Sequence, residues 1–326
     1  MKLIKLKKLI KTLTALLVII AAVLTAGCAD GIAYTGEGDV KVLCTIFPIA
    51  DIVREIAGEH VSYALLTPSG ADAHSYEPTP LDIAAISECD LFVYIGGVSD
   101  YWADEVLKTL GANAPRTMKL IDCAHDSLIL DEHEHDEHEH DHDEHEEEIY
   151  DEHIWTSPKI YQNMVTAVAY ELAQIVTPDA AADIETEAAR YCDDLDILGG
   201  EFRAIADEAS NHTLVFGDRF PFKYLAEEYG FDCIAAFDGC GEDTEPSAAV
   251  IADIIDYVNG NGVTVVFCMA ESSDKIAKTI CAETGAELMK LHSCEVRTSA
   301  QTADGATYIT LMKENAEKIR AALVEQ

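Results

Sequence analysis

Short apolar runs alternate along this chain with longer stretches in which apolar side chains recur every three or four positions. The first pattern predicts strands and the second predicts helices. Val40–Phe47, Val61–Leu66, Leu91–Ile95 and the short Lys119–Ile121 are strand-like, and helical patterns lie between them at about Ile49–Ala57, Pro80–Glu88 and Tyr101–Leu110. Such βα repetition predicts a parallel sheet covered on both faces. A further helix opens at Ser157-Pro158 and runs to about Val176. Thr177-Pro178-Asp179 then has the character of a helix start. From Ala180 to Ser210, the residues Ile184, Ala188, Cys192, Leu195, Leu198, Phe202 and Ile205 form one apolar stripe. The stripe predicts a single long helix, with Gly199-Gly200 as a place where it can bend.

A second βα series starts at His212. Thr213–Phe216, Cys233–Phe237, Val263–Cys268 and Glu287–Leu291 are strand-like, and Phe222–Glu228, Pro246–Val258 and Ser273–Thr284 are helical. The segment from Ala306 to Ala322 is expected to hold a last strand-like run and a closing helix. The two halves echo one another. The expected fold is α/β: two similar lobes with parallel sheets flanked by helices, joined by a long rigid helix. The boundaries that follow are an N-terminal lobe over 40–178, a linking helix over 179–210 and a C-terminal lobe over 211–326. Ligands of open α/β sheets bind off the carboxyl ends of the strands, so the two lobes can face each other across one cleft.

The extreme N-terminus has a different pattern. Lys2, Lys5, Lys7, Lys8 and Lys11 precede an apolar run from Leu13 to Ala26, and Leu24-Thr25-Ala26-Gly27 leads into Cys28. This is the layout of a secretory signal over 1–27. Small residues directly before a cysteine resemble a bacterial lipoprotein cleavage site, which makes Cys28 the expected lipidation site and 28–39 a tether. The competing reading, an uncleaved membrane anchor, suffers because the apolar run is short for a span. An extracytoplasmic protein held on the cell membrane by a lipid is the expected localisation.

Charge sharpens this. The chain carries −38, and removing the five lysines of residues 1–27 leaves −43. So acidic a protein is no nucleic-acid binder, and it suits a cationic ligand. Much of the acid lies in one tract, DEHEHDEHEHDHDEHEEEIYDEH at 131–153, which also holds His133, His135, His138, His140, His142, His145 and His153. No core can be built from it, so the loop over 131–152 is expected to be solvated. Acidity alone does not need histidine so often, and neutral imidazoles among carboxylates point to a divalent transition metal. Of the ten cysteines, nine remain once Cys28 is set aside, so they cannot all pair internally. Cys240 and Cys294, both in polar loops after strands, are the candidate disulfide.

Outside the repetitive part of the tract, three histidines fall where a cleft-facing loop would put them. His74 follows Gly70-Ala71-Asp72-Ala73, His153 ends the tract before Ile154-Trp155, and His292 lies just past Glu287–Leu291. His60 and His125 have no such placement, and His212 precedes its strand.

At these residues the chain resembles the bacterial zinc/manganese solute-binding lipoproteins of ABC importers, the cluster A-I family, in its zinc-binding subgroup. Gly70-Ala71-Asp72-Ala73-His74-Ser75-Tyr76-Glu77-Pro78 is similar to the family's first ligand motif, and Asp151-Glu152-His153-Ile154-Trp155-Thr156-Ser157-Pro158 to its second. The resemblance covers nearly all of the chain after the signal. It implies zinc as the transported ligand, held between two lobes that hardly move, and an ABC permease as partner of a monomeric binding protein. It implies no enzyme, and no catalytic motif appears. The acidic histidine loop matches the insertion of zinc members, and we read its six earlier histidines as accessory ligands. Two positions depart from the pattern. Gly217 stands where zinc binders carry a third histidine, and His292 where the family carries an aspartate. The expected core is therefore His74, His153 and His292. Water, Asp218, Glu271, Glu242 or Glu245 would supply the fourth ligand. Asp72, Asp151 and Asp218 are candidates to orient the imidazoles. Import of manganese or another divalent metal, a surface metal buffer or adhesin, and a surface metalloenzyme are the competing readings.

Overall fold

The structure is a computed structural model that describes residues 32–71, 73–130, 150–237 and 246–325. Tyr34–Gln326 forms one compact unit. In its first half, β1 (Val40–Cys44) pairs with β2 (Val61–Leu65) and β3 (Leu91–Tyr94), and β3 pairs with β4 (Arg116–Lys119). In the second half, β5 (Thr213–Phe216) pairs with β6 (Asp232–Ala235) and β7 (Val265–Met269), and β7 pairs with β8 (Glu287–Leu291). Every pairing is parallel, and the two sheets share one order, β2-β1-β3-β4 and β6-β5-β7-β8. The doubly covered lobes read from the alternation of patterns are thus present.

Parallel strands need crossovers, and helices supply them. The first half has α1 (Phe47–Ala57), α2 (Pro80–Glu88), α3 (Tyr101–Leu110) and α4 (Pro158–Ala173). After the linking helix come α6 (Lys223–Tyr229), α7 (Ala248–Asn261), α8 (Lys275–Thr284), α9 (Ser299–Ala303) and α10 (Tyr308–Leu323). Local chemistry fixes several starts. Thr79 and Asp82 form a capping box for α2, and Ser157 caps α4 by accepting from the Ile160 amide. The strand-like run expected after Ala306 is instead the start of α10. Thr307 and Thr310 cap it reciprocally, and Tyr308, Leu311 and Met312 bury one helical face.

The linking helix α5 (Pro178–Glu208) runs 31 residues, capped by Thr177 with a proline in its first turn. It continues through Gly199-Gly200, where the Tyr229 hydroxyl lies 3.0 Å from the site a Cβ on Gly199 would occupy. The buried stripe is Ala180, Ile184, Ala188, Tyr191, Leu195, Leu198, Phe202, Ile205 and Ala206. From Ile184 onward it belongs to a single hydrophobic cluster that also takes in Val42 and Phe47 of the first half and Leu214, Phe216 and Phe267 of the second. The side-chain alternation of a strand sends Val215, Val266 and Cys268 to the other face, where Ile254 and Val258 of α7 and Ala277 and Ile280 of α8 cover them. Among the described residues no helix is long and apolar enough to cross a membrane.

Candidate metal centre

With all strands parallel, their carboxyl ends share one edge of each sheet, and the loops leaving those ends carry the polar residues. The loop after β2 carries His74, the loop after β3 carries Ser99 and Asp100, and the chain after β4 leads to Asp151-Glu152-His153. From the second half come Asp218 after β5, Glu271 and Ser272 after β7, and the segment 292–297 after β8. A cavity of about 170 Å³ is lined by His74, His153, Asp218, Arg219, Glu271 and Glu295, among others.

Within it, His74, Glu152 and His153 offer ligand atoms that all lie within 4.8 Å of one another, the one such group among the described residues. The two rings are 5.3 Å apart. Each is held at Nδ1. The Ser99 hydroxyl lies 2.8 Å from His74 Nδ1, and Glu152 Oε1 lies 3.1 Å from it. Glu152 is itself fixed, because Ser99 donates to it through both its amide and its hydroxyl. Its side chain fits because Gly97 faces it; a Cβ there would come within 2.2 Å of the Glu152 Cβ. Asp151 Oδ1 accepts from the His153 amide at 2.9 Å and lies 3.1 Å from His153 Nδ1, while Lys223 approaches its other oxygen at 3.4 Å. A carboxylate on one ring nitrogen is the arrangement that orients an imidazole toward a metal on the other.

Electrostatics follow the geometry. Burial works against a charge on His74, but the Glu152 hydrogen bond and the Glu295 carboxylate outweigh it and raise its pKa to about 9. Burial likewise opposes the charges of Glu152 and Asp151, yet the neighbouring imidazoles hold both carboxyls below the usual range. In the metal-free site the charge of these carboxylates is met by protons on the imidazoles, which an incoming cation would displace.

The second half meets this group through Glu295, whose Oε1 lies 3.5 Å from His74 Nε2. Two ligands of a tetrahedral zinc with bonds of about 2.0–2.2 Å stand about 3.4 Å apart. Trp155 bridges the halves beside it, donating from its indole to the Ser293 carbonyl at 2.8 Å.

The other expected residues lie as follows. His292 is outside the group of three. Its ring nitrogens face Glu271 at 3.2 Å and Glu314 at 3.6 Å, with Gln301 alongside. Asp218 accepts from the Met269 amide, the Ser272 hydroxyl and the Arg219 amide, so both its oxygens are engaged in holding loops. Gly217 is closed to any side chain, since a Cβ would sit 2.4 Å from the Ala277 Cα of α8. The histidine expected at that position has no room. His212 sets its two ring nitrogens against the Gly230 and Ala209 carbonyls, a structural placement. Cys294 is buried. Cys28, Asp72, His133, His135, His138, His140, His142, His145, Cys240, Glu242 and Glu245 lie outside the described residues.

Glu152, Ser99 and Glu295 escaped the sequence reading. Glu152 was hidden by its many acidic neighbours. Ser99 carries no motif and is found only through the fold. Glu295 is displaced by backbone geometry: Cys294 adopts a left-handed φ of 61°, which turns the chain and brings Glu295, rather than His292, against His74.

Residues 42–322 match the family described as ZnuA, zinc-uptake complex component A, periplasmic. The chain belongs to this family. The family model describes its members as components of a zinc-uptake complex. It is 31% identical to the high-affinity zinc uptake system protein ZnuA of Bacillus subtilis over 327 residues, which covers 96% of this chain and 98% of that protein. Against the zinc-binding protein AdcA of Streptococcus pyogenes it is 28% identical over 291 residues, and it spans only 56% of that longer relative. Among solved structures, the Zn(II)-bound ZnuA-like domain of Streptococcus pneumoniae AdcA superposes with a TM-score of 0.73 at 27% identity, covering 89% of this chain and 100% of that domain.

Proposed function

We propose that the protein captures zinc outside the cytoplasm and hands it to a membrane ABC permease. Family membership supports the class of function. The observation that carries the metal reading is the pair of imidazoles held at Nδ1, with a carboxylate from the other lobe 3.5 Å from His74 Nε2. In this reading His74 Nε2, His153 Nε2 and Glu295 hold the ion. Glu271 or water completes the four, because Asp218 already serves the loops around it. The spacing to His74 supports Glu295 over His292 as the ligand of the C-terminal lobe. Lipidation at Cys28 would keep the protein at the membrane. The histidines at 133–145 would raise the local metal concentration beside the cleft without forming the tight site.

A mixed set of two nitrogens and several carboxylates also suits manganese better than three imidazoles would. Competition of zinc and manganese against a chelator, on the full chain, separates the two. One tight zinc per chain, lost on His74→Ala or His153→Ala and kept when Glu132–Glu147 is deleted, is the expected result. A tighter manganese site would overturn the zinc reading. Loss of the tight site on deletion of the tract would sink its accessory role.

A further inference from the structure

The cleft carboxylate Glu295 sits on a loop, and loops are poor platforms for a ligand unless something fixes them. Here three elements close a ring around it. The amide of Phe47, the first residue of α1, donates to the Glu295 carbonyl at 3.0 Å. Asn315 of α10, fully buried, grips the start of the loop from both sides. It accepts from the His292 amide at 2.9 Å and donates to the His292 carbonyl at 2.8 Å. The ring is closed by Asp51, one turn into α1 and 1% exposed. Its Oδ2 accepts from the backbone amide of Tyr308, the first residue of α10, at 3.1 Å, and from the Tyr191 hydroxyl of α5 at 2.9 Å. Its Oδ1 takes the Arg54 guanidinium at 2.5 Å. Arg297, at the far end of the loop, strengthens the same ring. Its guanidinium lies 4.3 Å from the Phe47 ring centre and donates to the Ala306 carbonyl just before α10.

One buried carboxylate therefore ties an N-lobe helix, the linking helix and the last C-lobe helix to a common point. Its negative charge also meets the N-terminus of α10, where a helix favours an anion. We infer that Asp51 is a positioning residue for metal capture: by clamping α10 to α1, it fixes the 292–297 loop so that the Glu295 carboxylate reaches His74. This rests on the reading that Glu295 and His74 share the ion. Asp51 touches no metal and acts only through the loop.

The test compares Asp51→Asn, Asn315→Ala, Tyr191→Phe and Glu295→Gln in the full chain. The readouts are affinity at the tightest zinc site, by chelator competition, and the oxygen contribution to the zinc X-ray absorption spectrum. Asparagine keeps the shape of Asp51 and leaves Arg54 its bonds to Glu55. Asp51→Asn and Asn315→Ala should each weaken zinc about 10-fold or more, the range for groups that orient a ligand, and should diminish the oxygen signal as Glu295→Gln does. Tyr191→Phe, which leaves the grip on α10, should stay within about twofold of the parent, under 0.5 kcal/mol. Loss of thermal stability without loss of affinity in Asp51→Asn would reduce Asp51 to a structural role and overturn the inference. Should Asp51→Asn not fold, Asp51→Glu, which keeps the charge but displaces the acceptor from the Tyr308 amide, decides by the same criterion. Unchanged affinity in Glu295→Gln would instead overturn the underlying site, and the inference with it.

Discussion

The two lobes are built on the same strand order, yet they bring different things to the cleft. The N-terminal lobe supplies two imidazoles, each held at Nδ1 by a carboxylate of its own lobe, Glu152 for His74 and Asp151 for His153. The C-terminal lobe supplies negative charge on a borrowed support. Its first strand-end position is closed by the packing of Gly217 on Ala277, and Asp218 is occupied by the backbone of neighbouring loops. Its carboxylate nearest the imidazoles, Glu295, is anchored through the amide of Phe47, a residue of the other lobe. Equal topology does not make equal contributions. What a strand end can offer depends on how closely the next helix packs over it.

That asymmetry can be broken from its strong side first. His74→Ala or His153→Ala should lower zinc affinity by more than about 100-fold, the upper end for groups that merely orient a ligand. Isothermal or competition titration would show it, and a smaller loss would remove the N-terminal lobe from its leading role. Ser99→Ala comes next. It removes the hydroxyl that Glu152 and the His74 ring share but keeps the backbone amide on Glu152, so affinity should fall by up to about tenfold while the protein stays folded.

The third test uses protons. Below the ordinary histidine value of about 6.5, His74 is charged in both the folded and the unfolded chain, and its ion pairs with Glu152 and Glu295 contribute fully. As pH rises toward the folded value of about 9, the folded state holds a proton that the unfolded chain has lost, so this contribution fades. The Tm of the metal-free protein should therefore fall across that window, and His74→Gln should flatten the fall. Zinc affinity should rise over the same window as the competing proton leaves. A slope unchanged by His74→Gln would show that other groups carry the effect.

Two smaller effects test the weak side. Gly217→Ala should destabilise the fold by about 1–3 kcal/mol through overpacking against α8, with zinc affinity nearly intact, as denaturant melts and titration would show. His292→Ala should change tight zinc binding by less than about threefold, under 1 kcal/mol. A large loss there would return His292 to the ligand set and displace Glu295.

Much of the architecture was legible because it rests on local periodicity. The strands Thr213–Phe216 and Glu287–Leu291 and the helices at 80–88 and 101–110 stand where their apolar spacing put them. The segment after Ala306 misled because Tyr308, Ile309 and Thr310 favour strands by propensity, while the reciprocal Thr307–Thr310 cap and a buried helical face decide for a helix. At the site, His74 and His153 were visible through their motifs. Glu295, Ser99 and the closed Gly217 position were not. Each depends on a contact between segments far apart in sequence or on one left-handed residue, and no linear spacing encodes either.

The stripe of α5 has a consequence for how often the lobes can part. One hydrophobic cluster runs from the first sheet through Tyr191, Leu195, Leu198 and Phe202 into Phe216 and Phe267. Exposing even those four spine side chains to water costs about 1.5–3 kcal/mol each, in total about 10 kcal/mol, as much as the whole stability of an ordinary domain. At about 1.4 kcal/mol per factor of ten, a gaping form would be populated about once in ten million molecules. Wide hinge opening is therefore too rare to serve as the exit route. An ion held in this cleft would then have to leave through the loops around it, and its residence time would report how often those loops let go.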